Sequence, residues 1–284
     1  MIRRPPRSTL SSSSAASDVY KRQKYRNVME FQNEIGLIQR KMAASIAGTS
    51  RRLEILNSLD LQSGQQVLDI GCGGGHLLEE LAKAVGPNGK VYGLDTSEDQ
   101  LKQAKERCNS HDNVFTLHGL ANSINLNDDS CDAVVSVQTF EYIKNVDESI
   151  EEVIRVLKPE SIFVNISILW DYYKFYGADE NLNNIIQDTF KKHCFHQMLP
   201  MDLTGKLKKF GFKHIKHKPL PLFITNRDNN SPARYAADVM AQFAIQQGVS
   251  SDKVDEWQSQ LSMAEEEGRF AYTNLPILTY GYIN

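Results

Sequence analysis

Val67-Leu68-Asp69-Ile70-Gly71-Cys72-Gly73-Gly74-Gly75-His76-Leu77 decides the fold of this chain. An apolar run ends in an acid and opens into four glycines within five positions, which reads as a buried strand, a tight turn and the first turn of a helix. Without a Cβ, glycine permits positive φ and lets a ligand come close to the backbone. So many glycines in so short a stretch are costly unless something lies against the turn.

The neighbouring residues narrow what that something is. A dinucleotide fingerprint needs G-x-G-x-x-G, whose last glycine lets helix pack on strand while the helix N-terminus faces a pyrophosphate. Here Gly71-Cys72-Gly73 is followed by Gly74, Gly75 and His76, so the last glycine of the pattern is missing. Asp69, two residues before Gly71, would repel a phosphate and attract an ammonium or a sulfonium. A phosphate-free cationic ligand is the better expectation, and an NAD-dependent Rossmann oxidoreductase the weaker one.

Composition sets outer bounds. With 284 residues, 41% of them hydrophobic, the chain can bury a sizeable core. Lys and Arg number 32 against 35 Asp and Glu, for a net charge of -3, and no basic stripe interleaves with aromatics, so no nucleic-acid partner is expected. No run approaches the roughly 18 apolar residues of a membrane span and no signal-peptide core opens the chain, which predicts no membrane insertion and a cytoplasmic location. Cys72, Cys108, Cys131 and Cys194 form no C-x-x-C pair; they read as reduced thiols, and no metal site is expected.

Residues 1–23 are rich in serine and arginine, lack apolar periodicity and read as a disordered leader resembling translated adapter read-through, outside the fold. From Val28 to Leu59, Phe31, Ile35, Ile38, Met42, Ile46, Leu53, Leu56 and Leu59 recur at helical spacing, broken near Gly48-Thr49-Ser50. Two helices are predicted; they either cover one sheet face or the first also closes over the ligand. His76 to Val85 continues as a helix, broken by Gly86-Pro87-Asn88-Gly89. Lys90 to Asp95 is a strand ending in an acid 24 residues after Gly71, placed to accept from both ribose hydroxyls or simply to cap the next helix. Thr96-Ser97 can cap a helix from Glu98 to Cys108, with Gln100 in its first turn facing the ligand edge.

Further strands are expected at Asn113–His118, Cys131–Val137 and Ser161–Ile168, with a helix at Ile150–Leu157. Such alternation implies right-handed crossovers and a parallel, doubly wound sheet with ligands at its carboxyl ends. Beyond it, Trp170 to Tyr176 packs five aromatics into seven positions. A helix then follows at Leu182–Cys194, after it the stretch Leu203–Phe210 and the pair Gly211-Phe212, and helices at Ala233–Gly248 and Asp252–Gly268, with strands near His214–Lys218 and at Leu275–Tyr282.

Taken together, Val67-Leu68-Asp69-Ile70-Gly71-Cys72-Gly73, Gly93-Leu94-Asp95-Thr96-Ser97 and Arg155-Val156-Leu157-Lys158-Pro159 make residues 24–284 resemble a class I S-adenosylmethionine-dependent methyltransferase of the UbiE-like, type 11, small-molecule kind. The resemblance implies an α/β fold: a doubly wound, mostly parallel Rossmann-like sheet with an α-helical substrate lid inserted late. Residues 24–170 would form the cofactor-binding core with its N-terminal helices, and 171–284 the lid helices and final strands completing the same domain. It implies S-adenosylmethionine as cofactor, with Asp69, Gly71, Cys72, Gly73 and Gly75 around the methionine part, Asp95 on the ribose, and Thr96 and Gln100 beside the adenine. Where the family commonly has an acid after the third strand's glycine, this chain has Leu120, so packing and the backbone of Leu120 and Ala121 would hold the adenine. Glu160-Ser161 replaces the usual paired glycine after Lys-Pro, altering a turn.

Methyl transfer from a sulfonium is an in-line displacement in which the protein supplies position and no covalent nucleophile. The acceptor atom (O, S, N or C) stays open. A hydroxyl or carbon acceptor would call for a base; His193, His196 and Glu141 are the candidates, with capping or surface roles as the alternative for the histidines. Gln138, counted with the cofactor contacts, and Tyr142, counted with the substrate contacts, border the place where the methyl group should point. Trp170, Tyr172, Tyr173 and Tyr176 are either core or a substrate wall whose ring faces favour a developing cation by about 0.5–2 kcal/mol. A non-catalytic S-adenosylmethionine-binding protein is the remaining alternative, with Leu120 its one hint.

Overall fold

The computed structural model describes Met29 and residues 33–284; the expected leader, residues 1–23, and the apolar position Phe31 lie outside the described residues. Helices α1 (Asn33–Ala44) and α2 (Ile46–Leu59) precede β1 (Gln66–Ile70), α3 (His76–Val85), β2 (Lys90–Asp95), α4 (Glu98–Arg107), β3 (Val114–His118), β4 (Cys131–Val137), α5 (Val146–Val156) and β5 (Leu157–Ile168). The chain continues through β6 (Lys174–Tyr176), α6 (Glu180–Phe190), α7 (Leu199–Lys209), β7 (Lys213–Pro219), β8 (Leu222–Ile224), α8 (Pro232–Gln246), α9 (Ser251–Glu266), β9 (Ala271–Asn274) and β10 (Pro276–Tyr282).

The main sheet has the order β3-β2-β1-β4-β5-β10-β7. Strands β1 to β5 run parallel, and β10 is antiparallel to both β5 and β7. Central β1 is apolar without alternation because helices cover both its faces. Val67 packs with Leu78, Leu81 and Val91 on the α2–α3 side. Leu68 and Ile70 pack with Ile150, Val153 and Phe163 on the α5–α7 side. The expected doubly wound α/β sheet is therefore present.

Local signals account for most boundaries. Ser97 Oγ accepts from Gln100 N at 3.3 Å and starts α4, and Gly86 takes φ +67 after α3. Two readings need correction. On α2 the helical period holds but its phase is different: Ile46 and Leu53 are 85% and 57% exposed, and the buried stripe runs through Ala47, Arg51, Ile55 and Leu59. Downstream, β5 starts at Leu157 rather than Ser161, running through Lys158-Pro159 with a register shift against β4 and Glu160 at φ +62.

A second, three-stranded sheet of order β6-β9-β8 was not expected, since its strands span only three or four residues each. Its order repeats the edge of the main sheet. Strand β5 leads through 169–173 into β6, β7 through 220–221 into β8, and β9 through Leu275 into β10. Leu169 N donates to Leu275 O at 3.1 Å and Leu220 N to Pro276 O at 2.8 Å, carrying the ladder across the bend. The two sheets are thus one antiparallel ribbon of three strands, folded over beyond the carboxyl ends of the parallel strands. Helices α6, α8 and α9 cover the folded part, with Phe175, Ile186, Phe243, Trp257 and Tyr272 at the centre of their own core.

Candidate active site

The glycine turn is pinned to β2. Gly71 N and Cys72 N both donate to Leu94 O (2.7 and 3.0 Å), and Gly73 N donates to Asp95 Oδ2 at 2.9 Å. Asp95 Oδ1 meanwhile accepts from Ser97 N at 2.9 Å, so this carboxylate fixes the turn and at the same time the residue that caps α4. Burial still holds the Asp95 carboxyl above its ordinary value, against the lowering pull of those two N–H groups. Gly71 stands at φ +76, and a Cβ there would sit 2.0 Å from Thr139 Oγ1, in the loop after β4. The turn can approach β4 this closely only as glycine.

Helix α1 lies across the turn. A Cβ on Gly73 would meet Gln39 Nε2 at 3.3 Å, and one on Gly74 would meet Arg40 Cδ at 2.8 Å. Arg40 Nη1 bonds Asp99 Oδ2 at 3.2 Å and Gln100 Oε1 at 3.3 Å. The first helix therefore lies over the glycine turn, with its buried face in one core with α8. Gln100 is buried at the start of α4, Thr96 and Leu120 are exposed, and Ala121 is half-buried. Cys72 is buried and its thiol stands well above the ordinary value, through burial and the nearby Asp69 and Asp95; it packs and does not ionise.

Beneath the turn lies Asp69, 2% exposed, whose Oδ1 has no hydrogen-bond partner. Burial, and secondarily the charge of Asp95, push its carboxyl up to about 8. A buried carboxyl left unsatisfied beside a glycine turn is suited to a cationic ligand and hostile to a phosphate.

On the other side of the site, Gln138 follows β4 in the left-handed region at φ +50. Such a conformation costs a non-glycine residue about 1–3 kcal/mol and is kept where the surroundings impose it. Here Gln138 N donates to Ile166 O at 2.7 Å, and its side-chain Oε1 accepts from Arg51 Nη1 at 2.5 Å.

The two candidate histidines are tied up or weakened as bases, and Glu141 is bonded through one carboxylate oxygen while its Oε2 is buried without a partner among the described residues. Glu141 is fully buried; its Oε1 accepts from Ile168 N at 2.9 Å and its main-chain oxygen from Phe195 N and His196 N, so it braces the loop against β5 and the lid. Burial pushes its carboxyl up to about 7. His196 Nε2 faces Ile143 O at 3.0 Å and therefore carries the proton that it donates there. His193 is buried, donates through Nδ1 to Phe190 O at 2.6 Å, and stacks on the Phe190 ring with centroids 4.2 Å apart. Burial drives its pKa down to about 4, leaving a weak base at neutral pH. The helix expected over Leu182–Cys194 ends at Phe190, so His193 turns inward while His196 turns to the loop after β4.

The aromatic run divides. Trp170 and Tyr173 are buried with centroids 5.0 Å apart, Tyr173 stands edge-on to Tyr272 at 5.1 Å, and Tyr142 is edge-on to His193 at 5.6 Å. Tyr172 and Tyr176 are each 51% exposed and face outward, so they are removed from the expected substrate wall. Backbone alternation in β6 points Phe175 in and Tyr176 out.

The methyltransferase domain family matches residues 61–230. The chain belongs to that family. A demethylmenaquinone methyltransferase from Staphylococcus aureus is 34% identical over 113 residues, 40% of this chain and 47% of that protein. An uncharacterized 37.1 kDa transposon protein from Streptomyces fradiae is 32% identical over 131 residues, 46% of this chain and 38% of the other. The chain spans less than half the length of these curated relatives. Among solved structures, the YcgJ protein of Bacillus subtilis superposes with a TM-score of 0.57 at 18% identity, over 83% of this chain and 99% of its own. Phosphoethanolamine N-methyltransferase 2 of Haemonchus contortus, solved with S-adenosyl-L-methionine, gives 0.54 at 20% identity over 82% of this chain and 52% of its own. These likenesses show the fold.

S-adenosylmethionine is the cofactor that the family implies, and this methyltransferase domain fits it: an unsatisfied buried acid for a cationic end, a side-chain-free turn for close approach, and an acid at the end of β2. The oxidoreductase alternative falls with the family match. Sequence reasoning missed Arg51, Gln39, Arg40, Thr139 and Tyr272. Only Arg51 left a signal, being the one charge on the Ala47-Arg51-Ile55-Leu59 stripe.

Proposed function

We propose that this chain transfers the methyl group of S-adenosylmethionine to a small-molecule acceptor in the cytoplasm, releasing S-adenosylhomocysteine. The unsatisfied, buried Asp69 beneath the glycine turn carries this reading. Asp69 takes the cationic methionine end, Gly71, Gly73 and Gly75 let the backbone come close, and Asp95 keeps a free lone pair on each oxygen for a ribose hydroxyl. Gln100, Thr96, Leu120 and Ala121 border the adenine, and Gln138 borders the transferred group. The cofactor supplies a methyl group on positively charged sulfur. Everything else falls to position: α1 and the folded ribbon exclude water, and alignment of the reacting atoms provides effective molarities of roughly 10⁵ M or more. His196 is bonded and His193 weakly basic, whereas Glu141 has a raised carboxyl whose buried Oε2 lacks a partner, so an acceptor that gives up a proton has Glu141 as its candidate base, and sulfur, a neutral amine or an already ionised oxygen needs none.

The test is release of S-adenosylhomocysteine by the whole chain from a panel of thioethers, amines, carboxylic acids, phenols and quinols, beside calorimetry with S-adenosylhomocysteine alone. Turnover with one class and tight product binding are expected. A chain that binds neither S-adenosylmethionine nor S-adenosylhomocysteine overturns the reading.

A further inference from the structure

The buried stripe of α2 carries one charge. Arg51 is 9% exposed, and its guanidinium presents five N–H donors. Nη1 is taken by the neutral side chain of Gln138, and Nε is buried without a partner. No aspartate or glutamate pairs with Arg51 among the described residues. The two buried carboxyls of the site do not compensate it: Asp69 responds to burial and Asp95, Glu141 to burial and its own hydrogen bonds. The groups that act on Arg51 are Tyr272 and Tyr173, whose hydroxyls stay neutral, and the like charge of Arg52. Tyr272 is fully buried, and its hydroxyl faces the side chains of Tyr173 and Asn274, neither of which brings a charge. A buried guanidinium without a counter-charge is among the costliest groups a fold can hold, and among the described residues only Nη1 of Arg51 has a partner, which leaves its other donors unfilled.

Location decides what would fill them. Sheet order puts the cofactor features after β1, β2 and β3 on one side, whereas Gln138 follows β4 and Tyr173 and Tyr272 sit on the folded ribbon. We infer that Arg51, with Tyr272 beside it, anchors an anionic group of the acceptor, a carboxylate or phosphate, so that this enzyme's substrates are small acids. The planar fork of arginine matches two oxygens of such a group. The inference rests on the methyltransferase reading.

Thermal-shift and calorimetric titrations of the whole chain, saturated with S-adenosylhomocysteine, test it with phenylacetate, indole-3-acetate and inorganic phosphate, each acid paired with its uncharged amide. Wild type should bind at least one anion roughly 10- to 100-fold more tightly than its neutral counterpart. Arg51→Met should abolish that preference while changing S-adenosylhomocysteine affinity less than about twofold, and Arg51→Lys should restore part of it. No preference for any anion in wild type overturns the inference without needing a variant. A loss of S-adenosylhomocysteine affinity of tenfold or more in Arg51→Met also overturns it, because the guanidinium then holds the cofactor's own carboxylate. Wild type that fails to bind S-adenosylhomocysteine at all fails the methyltransferase reading instead, so the two failures are separable.

Discussion

Replacing Asp69 by Asn keeps the shape of the side chain and removes its ability to become charged. In the ligand-free protein the carboxyl, at about 8, is mostly protonated at neutral pH, so the variant resembles the resting state and should fold at least as stably. Binding a cation changes the balance. A unit positive charge about 4 Å from a carboxylate is worth about 4 kcal/mol at an effective dielectric of about 20. Ionising at pH 7 a group that titrates at about 8 costs about 1.4 kcal/mol of that. The remainder, roughly 2–3 kcal/mol, predicts binding roughly 50-fold weaker in Asp69→Asn. Calorimetry at neutral pH in buffers of different ionisation enthalpy should show about one proton released per S-adenosylmethionine bound by wild type and none by the variant. Titration with S-adenosylhomocysteine, which keeps the ammonium and lacks the sulfonium, divides the effect between the two charges. Equal affinities, or no proton release by wild type, would refute the assignment of Asp69 to the cationic end.

The same carboxyls set an unusual pH dependence. Asp69 and Glu141 have folded values raised to about 8 and about 7, so the folded state holds protons that the unfolded chain loses, and stability falls as pH rises through this range. His193 and His76, lowered to about 4, act oppositely and only below about 6.5, where the unfolded chain protonates first. Ligand-free stability should therefore drop by on the order of 2 kcal/mol between pH 6.5 and 8, most of it absent in Asp69→Asn; urea unfolding at the two pH values measures this. Gly71→Ala should cost about 2–4 kcal/mol from φ +76 and the Thr139 contact, with Thr139→Ala in the same chain recovering only the steric share; the double-variant cycle in urea reads the split. His193→Phe should keep kcat within a few-fold and leave the acidic limb of the pH profile in place, whereas His193→Ala should lose about 2–4 kcal/mol of stability to a cavity; a large fall in kcat for the Phe variant would restore the histidine as a base.

What could be read from the chain follows from the range of each interaction. The strand, glycine turn and helix from Val67 to Val85, the Ser97 cap and the succession of parallel strands rest on local patterns, and they stand where the residues indicated. Asp69 and Asp95 were legible for the same reason, since strand carboxyl ends converge in this topology. The acceptor side depends on contacts between segments far apart in sequence. Arg51 meets Gln138 across 87 positions, and Tyr173 meets Tyr272 across a ribbon whose strands are too short to show a period. His193 looked like a surface residue on a helix because nothing local says that the helix stops at Phe190 and folds the ring inward. In α2 a single charged residue on the apolar stripe was outvoted by leucines, two of which, Leu56 and Leu59, do reach the core while Leu53 does not.

The folded ribbon bears on how this enzyme tells one acceptor from another. A lid joined to its core by hinges can swing, and selectivity then resides in whether a substrate triggers closure. Here the middle strand of the cover passes into the main sheet through Leu275 alone, and both flanking strands do so with the ladder bonds at Leu169 and Leu220 intact. Lifting the cover would mean unzipping β10 from β5, a seven-residue register at the heart of the sheet. The cover is in effect a wall poured with the foundations. Molecules are then sorted by whether they fit a vessel of fixed form, and α1 belongs to the same wall, its Ile35 and Ile38 buried in one core with α8 and its Arg40 tied across the glycine turn to Asp99 and Gln100.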